Sequence, residues 1–181
     1  MTVAMTRTDE DLLSHFRTAT RSERDAVFEE IFRAHRARVL GVCRYLCGAG
    51  PLAEDAMQET FLETYKGLAR FRGEARLGTW IYRIAVRTAL RLRSRHGAVA
   101  EDSVERADAS AHPHETLAAR ERIRHLQTAL DALPAEQRAV LALFAVDGFG
   151  HSEIAGILGI PEGTVWSRLH KARKALAAAL A

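Results

Sequence analysis

Apolar residues recur at helical spacing on both sides of one segment, Gly97–Thr116, that carries no such period. This segment is rich in Ala, Asp, Glu, Ser and His and contains Pro113. It holds Glu101, Asp102, Glu105, Asp108 and Glu115 against the single basic Arg106. A chain interrupted in this way folds as two short units on a tether rather than around one continuous pattern. Strand signals are poor: four prolines, few β-branched runs and abundant Ala, Leu, Arg and Glu favour helix throughout. The expected fold class is all-α, with two small helical domains joined by a flexible linker. The expected boundaries are 1–22 for an N-terminal extension, 23–96 for the first domain, 97–116 for the acidic linker and 117–181 for the second domain.

Residues 1–22 are polar and weakly patterned, with a short helix expected around Glu10–Thr18. From Glu23 the period is helical through Val27, Phe28, Ile31, Phe32, Val39, Leu40, Val42 and Cys43, and Gly48-Ala49-Gly50-Pro51 ends the run. A second helix over Leu52–Leu68 shows Ala56, Phe61, Leu62 and Tyr65 as its apolar side. A short basic loop, Ala69 to Gly78, precedes a third helix over Thr79–Arg95. That helix turns Trp80, Ile81, Ile84, Ala85, Thr88 and Ala89 toward a core and carries Arg83, Arg87, Arg91 and Arg93 on its other faces.

After the acidic segment, helical period resumes at Leu117 and continues to Ala132. Pro134 restarts a helix at its first turn, where the missing N–H is tolerated, and that helix ends near Asp147-Gly148. Ser152–Leu158 reads as a short helix with Ser152 as N-cap. Gly159 suits the left-handed conformation that stops it, and a longer helix follows over Gly163–Ala179. Short helix, glycine turn, longer helix is the helix-turn-helix pattern. At 3.6 residues per turn, Val165, Leu169, Ala172 and Leu176 form the buried stripe, and Thr164, Ser167, His170, Lys171 and Lys174 centre opposite. Hydroxyl and basic side chains on that face suit base edges and phosphates; the plainer alternative is a solvated surface helix. Trp166 lies at the edge of the stripe, where packing and a base contact both fit.

Charge is concentrated. Residues 66–96 hold nine basic side chains and one acidic, a local +8 against +3 for the whole chain. This is the footprint of a polyanion partner, with a membrane surface as the weaker reading. No run approaches the ~18 apolar residues of a membrane span, and Met1 to Asp11 lacks a signal-peptide core. With only Cys43 and Cys47, four apart, a soluble, reducing, cytoplasmic setting is expected. The two thiols with His35 could form a metal or redox cluster, but a closed zinc site needs four ligands, and cysteines buried on an apolar helix face are the better reading. His112 and His114 read as solvated linker residues. No phosphate-cradling loop, catalytic carboxylate pair or nucleophile arrangement stands out, so neither an enzyme nor a cofactor is expected.

Asp55-Ala56-Met57-Gln58-Glu59-Thr60-Phe61-Leu62, then Phe71-Arg72-Gly73, then Thr79-Trp80-Ile81-Tyr82-Arg83-Ile84-Ala85 resembles the first conserved domain of extracytoplasmic-function (ECF) sigma factors, small initiation factors of the sigma-70 family. Leu133-Pro134-Ala135-Glu136-Gln137-Arg138, Glu153-Ile154-Ala155 and Gly163 through Arg173 resembles their second domain. The resemblance covers both helical blocks in the right order. It implies an alternative sigma factor that binds core RNA polymerase, directs it to specific promoters and melts the minus-ten region.

By the same resemblance, Asp55, Gln58, Glu59 and Leu62 would dock on the clamp helices of the largest polymerase subunit, and the C-terminal domain on the flap of the second-largest. Phe71, Arg72, Arg76, Arg83, Arg87 and Arg91 would hold the single-stranded minus-ten element. Of the nearby aromatics, Trp80 reads as core, and Phe71 and Tyr82 are open. Thr164, Ser167, Arg168, His170, Lys171, Arg173 and Lys174 would read the minus-thirty-five duplex. An anti-sigma factor that holds the protein inactive, in some cases at the membrane, is also implied. Arg87 stands where the family usually has Asn, and Arg91 where it has an acidic or polar residue, which implies a more electrostatic grip. The competing reading is a stand-alone helix-turn-helix regulator that binds duplex DNA as a free, commonly dimeric, protein.

Overall fold

The computed structural model describes residues 9–48, 50–100 and 117–180. The described chain is helical: α1 (Asp9–Thr18), α2 (Arg21–Cys47), α3 (Pro51–Leu68), α4 (Leu77–Ala100), α5 (Leu117–Asp131), α6 (Ala135–Asp147), α7 (His151–Leu158) and α8 (Glu162–Ala179). The acidic stretch 101–116, with His112 and His114, lies outside the described residues.

The first unit packs α2, α3 and α4 on one another. Val27, Ile31, Val39, Val42 and Leu46 from α2 meet Phe61 and Leu68 from α3 and Ile81, Ala85 and Ala89 from α4. The expected N-terminal extension is not set apart from this core. Leu12, Leu13, Phe16 and Ala19 are buried, and the ring of Phe16 meets Tyr65 of α3 edge-on at 6.0 Å. Leu12, Leu13 and Phe16, with Ala19 just past its end, give α1 one apolar face despite its polar average. A capping box separates α1 from α2: the Glu23 carboxylate accepts the Thr20 N–H at 2.7 Å and the Thr20 hydroxyl at 2.8 Å. Those two bonds hold the Glu23 carboxyl below its ordinary value.

The second unit joins α5–α8 around Val140, Leu143, Ile154, Ile157, Val165, Leu169 and Ala172. Arg138 is 6% exposed, and its guanidinium donates to the carbonyls of Leu130, Asp131 and Leu133, closing the end of α5. Helix α7 is not capped by Ser152, which is exposed inside its first turn. Gly150 is the N-cap, and its N–H donates to the Glu153 carboxylate at 3.0 Å. Gly159 adopts φ 66°, the left-handed value expected of it, and the N–H of Ile160 returns to the Ala155 carbonyl at 3.1 Å.

The two units lie against each other, α6 on α2 and α7 on α4. Val146 fills the space left by the missing side chain of Gly41, where a Cβ would come within 2.6 Å of it. Tyr82 and Phe149 meet with ring centroids 5.0 Å apart. Arg93 bridges the Leu46 carbonyl (2.6 Å) and the Asp131 carboxylate (2.7 Å). Arg83 donates to the carbonyls of Ile157 (3.0 Å) and Gly156 (2.6 Å) near the end of α7. This second packing surface explains why α4 buries Tyr82 and Val86 in addition to the expected inner stripe.

Candidate nucleic-acid interface

Asp55, Gln58, Glu59 and Leu62 fall at positions i, i+3, i+4 and i+7 of α3 and so share one face. Asp55 and Gln58 are exposed, Glu59 is half-buried, and Leu62 is 59% exposed. Leu62 therefore does not belong to the apolar side expected for this helix. The inner stripe is Ala53, Ala56, Met57, Thr60, Phe61, Thr64 and Leu68. Threonines fit there because their hydroxyls donate back along the helix, Thr60 to the Ala56 carbonyl at 2.6 Å and Thr64 to the Thr60 carbonyl at 2.8 Å. Glu59 pairs with Arg91 at 2.8 Å, and Glu63 with Arg87 at 3.5 Å. Two of the arginines expected on the minus-ten strand thus lean across onto α3.

Between α3 and α4 the chain turns through main-chain bonds from Arg70 to Gly67 and from Phe71 to Leu68. A concavity of about 460 Å³ opens there, lined by Phe71 and Trp80 together with Arg70, Arg72, Arg83 and Glu74. The two rings are tilted by 32° with centroids 4.8 Å apart. Trp80 can lie flat against α3 because residue 67 is glycine; a Cβ there would sit 2.8 Å from the indole. Trp80 is half-buried rather than wholly core, while Phe71 is 8% exposed and Tyr82 is buried against the second unit. Arg72 and Arg76 are exposed, and Arg72 lies 4.0 Å from Glu74.

Helix α8 presents His170, Lys171 and Lys174 outward, while Thr164 and Ser167 are half-buried. Arg168 is committed to Glu136 of α6, tying α8 to its neighbour, and Arg173 lies over the Phe144 ring at 4.5 Å. The sequence left Trp166 open between packing and a base contact. It is 63% exposed and stacks on His170 with planes 8° apart and centroids at 5.6 Å. The available signal was its position beside hydroxyl and basic residues rather than within the Val165–Leu169 stripe.

The cysteines lie inside. Burial pushes the Cys43 thiol up to about 12 and that of Cys47 to about 11, and the Cys47 thiol lies 3.5 Å from the Ala89 carbonyl. A raised value keeps sulfur protonated and unreactive near neutral pH. Iodoacetamide at pH 7.5 is accordingly expected to label the native protein slowly and both thiols completely in guanidinium. Rapid native labelling of Cys43 would contradict its burial. His35 meets Tyr82 edge-on at 6.2 Å. Among the described residues no three His, Cys, Asp or Glu side chains gather as a metal site, and no helix is long and apolar enough to cross a membrane.

Both units match known families: Sigma-70 region 2 over residues 31–99 and Sigma-70, region 4 over residues 123–176. The chain is 32% identical over 154 residues to the ECF RNA polymerase sigma factor SigM of Mycobacterium tuberculosis, covering 83% of this chain and 75% of that one. It is also 32% identical over 134 residues to the ECF RNA polymerase sigma-E factor of Escherichia coli, covering 67% and 70%. The fold resembles CnrH in its complex with the cytosolic domain of CnrY, with a TM-score of 0.71 and 22% identity over 95% of this chain and 96% of that one. It also resembles the sigma factor RpoE bound to the anti-sigma factor NepR from Bartonella quintana, with a TM-score of 0.66 and 24% identity over 84% and 96%. With both regions in order and the first relative spanned over three quarters of its length, the chain belongs to the ECF RNA polymerase sigma factors, alternative sigma factors that direct RNA polymerase to promoters.

Proposed function

We propose that three surfaces of this chain divide the work of promoter recognition and opening. The α3 face with Asp55, Gln58, Glu59 and Leu62 docks on the clamp helices of the largest polymerase subunit, and the second unit on the flap of the second-largest. The concavity at Phe71 and Trp80, with Arg70, Arg72, Arg76 and Arg83 near it, takes an unstacked base of the minus-ten strand while the arginines neutralise phosphate. Unpairing takes a few kcal/mol per base, which stacking of ~1–3 kcal/mol per base and phosphate contacts offset. Arg87 and Arg91 leave Glu63 and Glu59 for the strand phosphates, and Glu59 is then available to the clamp. Helix α8 reads the minus-thirty-five duplex through Trp166, His170, Lys171 and Lys174, with Thr164, Ser167 and Arg173 at its margins. Arg168 serves the packing of α8.

The observation that carries this reading is a concavity lined by two aromatic rings, three arginines and one glutamate beside an α3 face that leaves a leucine bare. The assembly of two structural neighbours with CnrY and with NepR supports an anti-sigma partner for this chain as well. The test is a titration of labelled protein with core RNA polymerase, followed by a promoter fragment. Saturable core binding that then opens the promoter is expected. Loss of a good base contact in Lys171→Ala should weaken upstream-element use by about tenfold, within the ~1–3 kcal/mol of such contacts, and leave core binding intact. A folded protein that ignores core and shifts duplex DNA alone would instead fit a stand-alone regulator.

A further inference from the structure

The loop that forms the concavity is anchored at its ends by the buried side chains of Phe71 and Leu77 and is largely exposed between them. Among the described residues its main chain is tied at Arg70 and Phe71 by bonds back to α3 and next at Trp80, whose N–H donates to the Arg76 carbonyl. Arg72, Gly73 and Glu74 between them are exposed. One further bond reaches the loop from outside: the guanidinium of Arg17, on α1, donates to the carbonyl of Phe71. Helix α1 is itself held at that end. Arg24 of α2 donates to the Phe16 carbonyl at 3.1 Å and the Arg17 carbonyl at 3.5 Å, with its guanidinium 5.7 Å from the centre of the Phe16 ring. A continuous path thus runs from α2 through Arg24 to the end of α1, and through Arg17 to the Phe71 main chain. From there it passes to the Phe71 ring against Trp80.

We infer that Arg17 is a positioning residue for the minus-ten concavity: by holding the Phe71 carbonyl it fixes the aromatic base on which an unstacked nucleotide settles. This rests on the reading of that concavity given above. Arg17 is exposed and distant in sequence, so its removal leaves the core of the unit untouched. What changes is the freedom of a loop whose tip carries only the exposed, 4.0 Å pairing of Arg72 with Glu74.

The two tryptophans make the idea measurable. In a Trp166→Phe background, Trp80 is the single indole and reports directly on the concavity. The probe is a mixed-sequence single-stranded DNA 12-mer, followed both by Trp80 quenching and by the anisotropy of a dye on the DNA. With Arg17 present, binding and quenching should saturate together. Arg17→Ala should retain anisotropy binding within about threefold, because the phosphate-facing arginines remain, but lose at least half the quenching amplitude. Arg17→Lys, which keeps one donor, should recover part of it. Unchanged quenching amplitude in Arg17→Ala overturns the role of Arg17 alone. Binding without quenching in the Arg17-containing protein overturns the concavity reading and this inference with it.

Discussion

Replacing Arg138 by methionine is expected to destabilise the second helical unit by about 3 kcal/mol, read as a lowered urea midpoint at unchanged slope. The guanidinium serves three carbonyls at the end of α5, those of Leu130 (2.8 Å), Asp131 (2.8 Å) and Leu133 (2.7 Å). Helix ends leave carbonyls without partners inside the helix, and here one side chain supplies them. Burial, more than any neighbouring charge, draws the Arg138 value down, so the ion carries a desolvation cost in the folded protein. Exchanging a buried ion pair for apolar side chains can be neutral because both polar partners leave together. Here the partners are main-chain carbonyls that no substitution removes; Leu130's keeps the Leu133 N–H at 3.2 Å, while those of Asp131 and Leu133 lose the guanidinium, and a buried carbonyl left without a donor costs ~1–3 kcal/mol. Arg138→Lys should fall between the two, since one ammonium cannot span all three acceptors. A midpoint shift worth less than ~1 kcal/mol for methionine would mean that water replaces the guanidinium there.

Leu62→Asp is expected to weaken binding to core RNA polymerase by roughly 30-fold or more, as for a central interface residue worth at least ~2 kcal/mol. The side chain is exposed, so the fold loses nothing by the change and the melting temperature should stay within a few degrees of the parent. Isolated exposed leucines are common and need no explanation. Leu62, however, shares one face with Asp55, Gln58 and Glu59, an exposed apolar side chain at the end of a polar row. Leu62→Ala should give an intermediate loss, and Asp55→Ala combined with Gln58→Ala a loss without apolar truncation. Core affinity within threefold of the parent for Leu62→Asp would remove the α3 face from the docking surface.

Periodicity made the helices legible, and most ends fall within two residues of where caps and prolines placed them. It read poorly wherever a polar residue satisfied itself inside. Thr60 and Thr64 donate back along α3, so an apolar count rotated that helix and put Leu62 indoors. Ser152 looked like a cap because serine usually is one. The glycine two residues earlier took the role once Glu153 could reach its N–H. Helix α1 read as an extension because only four of its neighbourhood's residues are buried, too few to dominate a polar segment. At the site, residue types were legible and their commitments were not. That Arg168 belongs to Glu136, Arg91 to Glu59 and Arg83 to the end of α7 depends on distant chain that no local pattern contains.

Arg83 gives the packed arrangement a geometric consequence. Its Nε and one terminal nitrogen donate to two carbonyls of the second unit, so a phosphate that takes those two donors must release that unit. Promoter elements named for positions ten and thirty-five are separated by about 25 base pairs, roughly 85 Å along a duplex at ~3.4 Å per step. A chain of this length packed into one body has a radius of gyration of only ~16 Å. Between the end of α4 at Ala100 and the start of α5 at Leu117, the intervening residues can reach at most ~55 Å when fully drawn out. Under the proposed division of labour the number of residues between the units, more than the shape of either unit, sets the widest spacing of elements the protein can straddle.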